Sequence, residues 1–283
     1  MQEMDRNLKV YSSPEVAAHY GKLQYLSAAE ERLFERYIRR GDTILDLGVG
    51  GGRTTPYLAG LASRYVGADY SEVMVLSCRS KFPDLPFVRA DAADLAQFGD
   101  DAFDVVVMAF NGLDYVQPDT SRCCALGEIR RVLKPGGVFI FSSHNPRAVL
   151  QRPSWNPKCI DEIARRIAGG RHALYIMCKQ LLTLARQCVA FAQAFAISVG
   201  RCCQRLGKRA FWSGDGWMLD SAHGGLVTHY AIPRHVTEEL ADAGFELREV
   251  LGDDYPLTSG SLWTGWYYYT CVATAGDRSN TCA

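Results

Sequence analysis

From residue 43 to residue 144 the chain alternates short apolar runs with segments whose apolar positions recur every three or four residues. Thr43–Leu47 (TILDL), Tyr65–Asp69 (YVGAD), Pro86–Ala90, Phe103–Phe110 (FDVVVMAF) and Gly137–Ser143 read as five strands. Helices are predicted between them: from just after Arg53 to Ala62, over Ser71–Lys81, and over 121–133, the last stopping before Pro135. Most of the strand runs are apolar along their length rather than at every second position. Both faces of such strands must be covered, which predicts a parallel sheet between two layers of helices.

The flanks behave differently. Residues 1–42 form an N-terminal helical lead-in, with Ser27-Ala-Ala-Glu30 as a capping box and Gly41 at a helix end. Leu33, Phe34, Tyr37 and Ile38 recur at helical spacing there. Residues 145–230 break the βα rhythm and read as a helical insertion capping the acceptor side. Residues 231–275 return to the sheet, with a helix over Pro233–Ala243 and two closing strands, Phe245–Leu251 and Trp266–Thr274. Residues 276–283 are a polar tail.

Composition narrows the classes. A chain of 283 residues with 48% hydrophobic and 22% charged residues can bury a large core. Its 31 Lys/Arg balance 31 Asp/Glu, which argues against a general nucleic-acid binder. The ten cysteines include no C-x-x-C pair and no zinc-ligand spacing, so no metal is expected. MQEMDRNLKV lacks the apolar stretch of a signal peptide, and the longest uncharged apolar-rich run, Gln187–Gly200, is too short to span a bilayer. A cytoplasmic protein with reduced, mostly packed thiols is the expectation.

The strongest chemical motif is Asp46-Leu-Gly48-Val-Gly50-Gly51-Gly52-Arg53, directly after the first strand. A dinucleotide loop of G-x-G-x-x-G type would need glycine at 53, and a P-loop would need a lysine that is absent. An acid leading the glycines would repel a pyrophosphate and attract an ammonium group. A turn with no ligand is the alternative, at the entropic cost of four clustered glycines.

ILDLGVGGGRTT, VGADYS, RADAADL, FDVVVMAFNGLDYV and IRRVLKPGGVFIFSSHN, in that order, resemble the class I S-adenosylmethionine-dependent methyltransferases. The likeness is close over 27–144 and looser over 230–274. It implies a Rossmann-like α/β fold whose seven-stranded sheet runs 3-2-1-4-5-7-6, with strand 7 antiparallel, and S-adenosylmethionine as cofactor. It further implies that Asp69 accepts from both ribose hydroxyls, Tyr70 lies on the adenine, Asp91 accepts from the adenine amino group and Ala92 touches it through backbone. Gly48 and Gly50 would admit the methionine and adenosine parts, Asp46 would face the methionine ammonium, and Ala109 and Phe110 would lie near the methyl sulfur. Tyr11 or Tyr20 would cover the cofactor. A helix cap for Asp69 and a turn acid for Asp91 are the structural alternatives.

In such enzymes the nucleophile needs alignment and a free lone pair, and a hydroxyl nucleophile benefits from a base. His144 in SSHN is the first choice, because imidazole titrates near neutrality. Asp114, Asn111 and Asn145 stand beside it at the strand ends, and His223, His229 and Tyr230 precede the closing helix. The expected reaction is methyl transfer to O or N of a small molecule or a sugar or glycan precursor. An RNA or protein methyltransferase and a non-catalytic cofactor-binding module are the alternatives. Trp212, Trp217, Trp263, Trp266 and Tyr267–Tyr269 are candidates to stack on a ring acceptor or to sit in the core. Residues 163–209 carry nine Lys/Arg and no Asp/Glu. That stretch reads as an amphipathic cap meeting a membrane surface or anionic acceptor, or as a lid or homodimer face.

Overall fold

The structure, a computed structural model, describes residues 2–148, 174–182, 184–185, 188–189, 192, 210, 212–220, 226–258 and 260–275. Strands β1 (Thr43–Leu47), β2 (Arg64–Asp69), β3 (Phe87–Arg89), β4 (Phe103–Met108), β5 (Leu133–His144), β8 (Phe245–Gly252) and β9 (Trp266–Ala273) form one sheet. Its order is β3-β2-β1-β4-β5-β9-β8, which is the expected 3-2-1-4-5-7-6. The pairs from β3 to β5 are parallel, whereas β9 runs antiparallel to both β5 and β8.

The period of two along each strand sorts the core into two layers. Leu45, Leu47, Val106, Phe139, Phe141 and Tyr269 face α6 (Asp119–Val132) and α7 (Pro233–Asp242). Ile44, Val105, Val107, Ile140 and Tyr268 face the other way, onto α3 (Ala28–Tyr37), α4 (Thr55–Leu61) and α5 (Glu72–Lys81). The lead-in adds α1 (Gln2–Tyr11) and α2 (Pro14–Gly21). The capping box at Ser27 and Glu30 is formed in both directions.

Two expectations change. A separate antiparallel pair, β6 (Asp215–Asp220) and β7 (Leu226–Ala231), occupies the end of the stretch read as helical insertion. It lies outside the main sheet and uses a small cluster of its own, Ala210, Met218 and Tyr230. The reading of 163–209 as a cap, and of His223 as a site residue, falls largely outside the described residues; 174–182, 184–185, 188–189 and 192 are helical. The thiols are also not all reduced: Cys124 is disulfide-bonded, and among the free thiols Cys123 and Cys188 are exposed while Cys78 and Cys271 are buried.

Candidate functional site

The glycine loop leaves β1 and turns back at once. Val49 N–H donates to the Ala68 carbonyl at 2.9 Å, which ties the loop to β2. Gly48 and Gly50 sit at φ of 69° and 54°, the left-handed region that glycine enters without strain. Gly51 is needed for a different reason. A Cβ there would lie 2.3 Å from the Tyr20 carbonyl carbon, so the end of α2 rests directly on the loop.

Asp46 lies beneath the glycine loop. It is buried, does not line the cavity, and its Oδ2 accepts from Thr54 Oγ1 (2.8 Å) and Tyr65 Oη (2.9 Å). Its carboxylate clamps the loop to the start of α4 and to β2, and burial pushes its pKa up to about 6. Arg53 makes a second clamp. Its guanidinium forms a fork with Glu30 (2.7 and 2.5 Å) and lies 4.3 Å over the Phe110 ring.

Between the loop, the carboxyl ends of β2, β3 and β4, and the lead-in helices lies a cleft. Gly48, Gly50, Asp69, Tyr70, Asp91, Ala92, Ala109 and Phe110 all line it, as do Tyr11 and Tyr20. Asp69 accepts from Gly50 N–H (2.8 Å) and Ser71 N–H (2.9 Å), and burial raises its pKa to about 6. Tyr11 sits at the centre of an aromatic wall, 6.1, 6.3 and 5.5 Å from the rings of Tyr20, Tyr70 and Tyr115. Tyr70 Oη and Gln117 Nε2 are buried with no partner among the described residues, which suits a polar ligand.

Behind this cleft stands a charged dyad. One turn of 3-10 helix, Gly112–Tyr115, carries Asp114 beneath the end of β5. Asp114 is fully buried and accepts His144 Nδ1–H (2.8 Å), His144 backbone N–H (2.7 Å) and Ser143 Oγ–H (2.8 Å). Burial opposes its charge, but the hydrogen bond and attraction of His144, together with Arg122, hold its pKa below the usual carboxylate range. With Nδ1 donating, Nε2 keeps its lone pair, and Asn111 Nδ2 lies 3.1 Å from it. Phe110 and Asn111 are consecutive non-glycine residues at φ of 55° and 60°. Each such backbone costs on the order of 1 kcal/mol or more, and this strain is concentrated where β4 meets the site. The His144 ring is flanked by Tyr230 (4.9 Å) and Tyr115 (6.2 Å).

Known proteins resemble this chain in sequence and fold. The family described as "Methyltransferase domain" matches residues 45–141. A demethylmenaquinone methyltransferase of Clavibacter sepedonicus is 41% identical over 120 residues, 41% of this chain and 47% of that one. The chain thus spans about half the length of that relative. An uncharacterized methyltransferase of Synechocystis sp. is 32% identical over 160 residues, covering 53% of this chain and 71% of its own. A solved S-adenosylmethionine-dependent methyltransferase of Methanosarcina mazei shares the fold at a TM-score of 0.57 and 16% identity, over 90% of this chain and 100% of that one. This chain belongs to the class I S-adenosylmethionine-dependent methyltransferases.

The methyltransferase's cleft fits that cofactor. Asp69 has carboxylate capacity left for ribose hydroxyls, the glycine turn admits a ligand to its backbone, and the orphan polar atoms of Tyr70 and Gln117 await partners. A pH dependence follows from Asp69. Hydroxyl donors favour the ionised carboxylate, so binding below the raised pKa must expel a proton, and affinity rises with pH through about 6. S-adenosylhomocysteine is expected to bind roughly tenfold more tightly at pH 7 than at pH 5 by calorimetry, with a plateau above. Asp69→Asn should bind weakly and lose this slope; an unchanged slope would assign the proton elsewhere.

Other candidates are placed away from the cleft. His229, on β7, pairs with Asp215 at 2.9 Å and lines a separate cavity with Glu239, His235 and Arg122. Asn145 is spent on loop geometry, with Nδ2 donating to the Ser261 and Thr264 carbonyls. Trp217 Nε1 donates to Asp119, Tyr268 and Tyr269 are core, and no tryptophan among the described residues lines the cleft. Tyr115, Gln117 and Met108 line it although the sequence did not single them out.

Proposed function

We propose that this methyltransferase transfers a methyl group from S-adenosylmethionine to a hydroxylated aromatic ring of quinol type, with His144 as the base. The observation that carries this reading is the Asp114–His144 pair, at 2.8 Å, beside a cleft walled by Tyr11, Tyr20, Tyr70 and Tyr115. Flat aromatic walls favour a planar ring over a polyhydroxylated sugar. A quinone-pathway relative points to the same acceptor class. When bound, the cofactor supplies an electrophilic methyl that needs no activation by the protein.

The chain's own residues then have three tasks. Tyr11 and Tyr20 close over the cleft and exclude water. Tyr115 and Tyr230 hold the ring beside His144. His144 Nε2 takes the hydroxyl proton as the ring's oxygen displaces the Asn111 amide, while Asp114 stabilises the imidazolium that forms. The charge left on the ring is shared between oxygen and the carbon beside it, and NMR of the product assigns the methylated atom.

The cleft offers nothing to a phosphate chain. Arg53 is its only Lys or Arg among the described residues, and Glu30 already neutralises it. The test is release of S-adenosylhomocysteine with quinols, simple phenols, sugars and amines. Turnover confined to the ring acceptors is expected. Turnover with sugars or amines alone, or binding of the cofactor with no turnover in the whole panel, would overturn the proposal.

A further inference from the structure

Between the 3-10 turn that carries Asp114 and the start of α6, one cleft side chain has no task in the proposed reaction. Gln117 lines the cleft and is only 4% exposed, and its Nε2 has no partner among the described residues. The packing does not ask for an amide here, since Val116 beside it lies against the apolar core. A buried N–H left unpaired destabilises the empty protein, so its counterpart is a group that arrives with a ligand.

The surroundings set Gln117 toward the end of the cleft bounded by Asp91 and Ala92. Val116 packs against a cluster that includes Ala90, Ala92 and Leu95. The helix that follows, α6, is tied to the same segment: Glu128 accepts from Leu95 N–H at 2.8 Å, and Arg131 donates to the Leu95 carbonyl at 3.0 Å. Burial raises the pKa of the Tyr70 phenol, and the charges of Asp69, Asp91 and Tyr115 add to the rise. The acid after β3 and the turn that carries Gln117 therefore meet at one phenol.

The chemistry of an amide selects the part of the cofactor. A primary amide holds a donor and an acceptor side by side in one plane. The methionine carboxylate of S-adenosylmethionine only accepts, its ammonium only donates, and each ribose hydroxyl offers a single atom. Adenine alone sets a donor beside an acceptor in a plane, and its 6-amino and N7 pair is the edge that glutamine matches with two hydrogen bonds. The amino group carries two hydrogens, so Gln117 can share it with Asp91.

We propose that Gln117 binds the N7 edge of the cofactor's adenine, Nε2 donating to N7 and Oε1 accepting from the 6-amino group. Gln117 thereby selects the purine, because a 6-oxo ring would turn an acceptor toward Oε1. This inference rests on the identity of the cofactor and not on the acceptor or the base proposed above.

The experiment is calorimetry with S-adenosylhomocysteine and with its 7-deaza analogue, in which N7 is replaced by C–H, on the full wild-type chain and on Gln117→Leu. The wild type is expected to bind the analogue roughly tenfold more weakly. Gln117→Leu should bind S-adenosylhomocysteine about 10- to 100-fold more weakly than the wild type and no longer distinguish the two ligands. Because the substitution removes an unpaired buried amide, its Tm without ligand should equal or exceed that of the wild type. Equal affinity of the wild type for both ligands would overturn the proposal, as would discrimination that persists in Gln117→Leu. A variant that fails to fold would overturn it too, since the amide would then serve the fold. So would loss of all measurable binding, which exceeds what one hydrogen-bonding edge contributes.

Discussion

Replacing His144 by alanine is expected to lower kcat by roughly 10²- to 10⁴-fold while the affinity for S-adenosylhomocysteine stays unchanged. The separation of the two effects follows from the geometry. His144 lines no part of the cleft, whose lining comes from the lead-in, the glycine loop, the ends of β2 to β4 and the turn after β4 with the start of α6. Its ring is instead held by Asp114 through Nδ1, with Nε2 at the turn where β4 ends. Asp114→Asn should act in the same direction through the other half of the pair. An amide can donate to Nδ1, which would place the imidazole proton on Nε2 and remove the basic lone pair from the side where it is needed. The amide also gives up the negative charge that stabilises an imidazolium. Single-turnover rates with the best quinol acceptor, together with calorimetry, check both. Turnover of His144→Ala within a few-fold of the wild type would mean that the acceptor loses its proton without this dyad.

The cofactor half of the molecule was legible because its signals are local. A glycine loop, a strand-end acid and alternating apolar runs each act over fewer than ten residues, and the sheet order followed from the family likeness. The small pair β6–β7 was not legible, because its strands pair with each other rather than with the main sheet, and DGWMLD carries acids at both ends. The partners of Asp46 were hidden for a physical reason of another kind. An acid before a glycine turn reads as a ligand contact, and only the fold reveals that Thr54 and Tyr65 both donate to it. His229 was a candidate base because it precedes the closing helix in sequence; strand alternation sends it and Tyr230 to opposite sides of β7, and only Tyr230 reaches His144. Tyr115 and Gln117 were passed over because no periodicity marks a loop. The available signal was the polar, turn-rich NGLDYVQP following the most apolar strand.

Arg122→Met is expected to destabilise the fold by about 3–5 kcal/mol, the second large effect. Arg122 is almost completely buried on α6, and its guanidinium answers three groups at once. It forks onto Glu239 of α7 (2.7 and 3.0 Å), donates to the Leu113 carbonyl (2.8 Å) and lies 3.3 Å from Asp114 Oδ1. Burial works against its charge, yet Glu239 and Asp114 together raise its pKa above the ordinary arginine value. Removing it would strand Asp114, a carboxylate with no exposure, with only Ser143 and His144 to offset its charge, and would leave the Leu113 carbonyl only its longer bond from Val116 N–H at 3.3 Å. Methionine keeps much of the stem's packing, so the loss reports the charge and the hydrogen bonds rather than a cavity. Adding Glu239→Gln to Arg122→Met should recover only a small part of the loss, because Glu239 is partly exposed and water can solvate it, whereas Asp114 has no such recourse. Urea denaturation of the two variants beside the wild type checks this. A loss under about 1 kcal/mol for Arg122→Met would mean that Asp114 is held by His144 and Ser143 alone, and that the link from the dyad to α7 carries no stability.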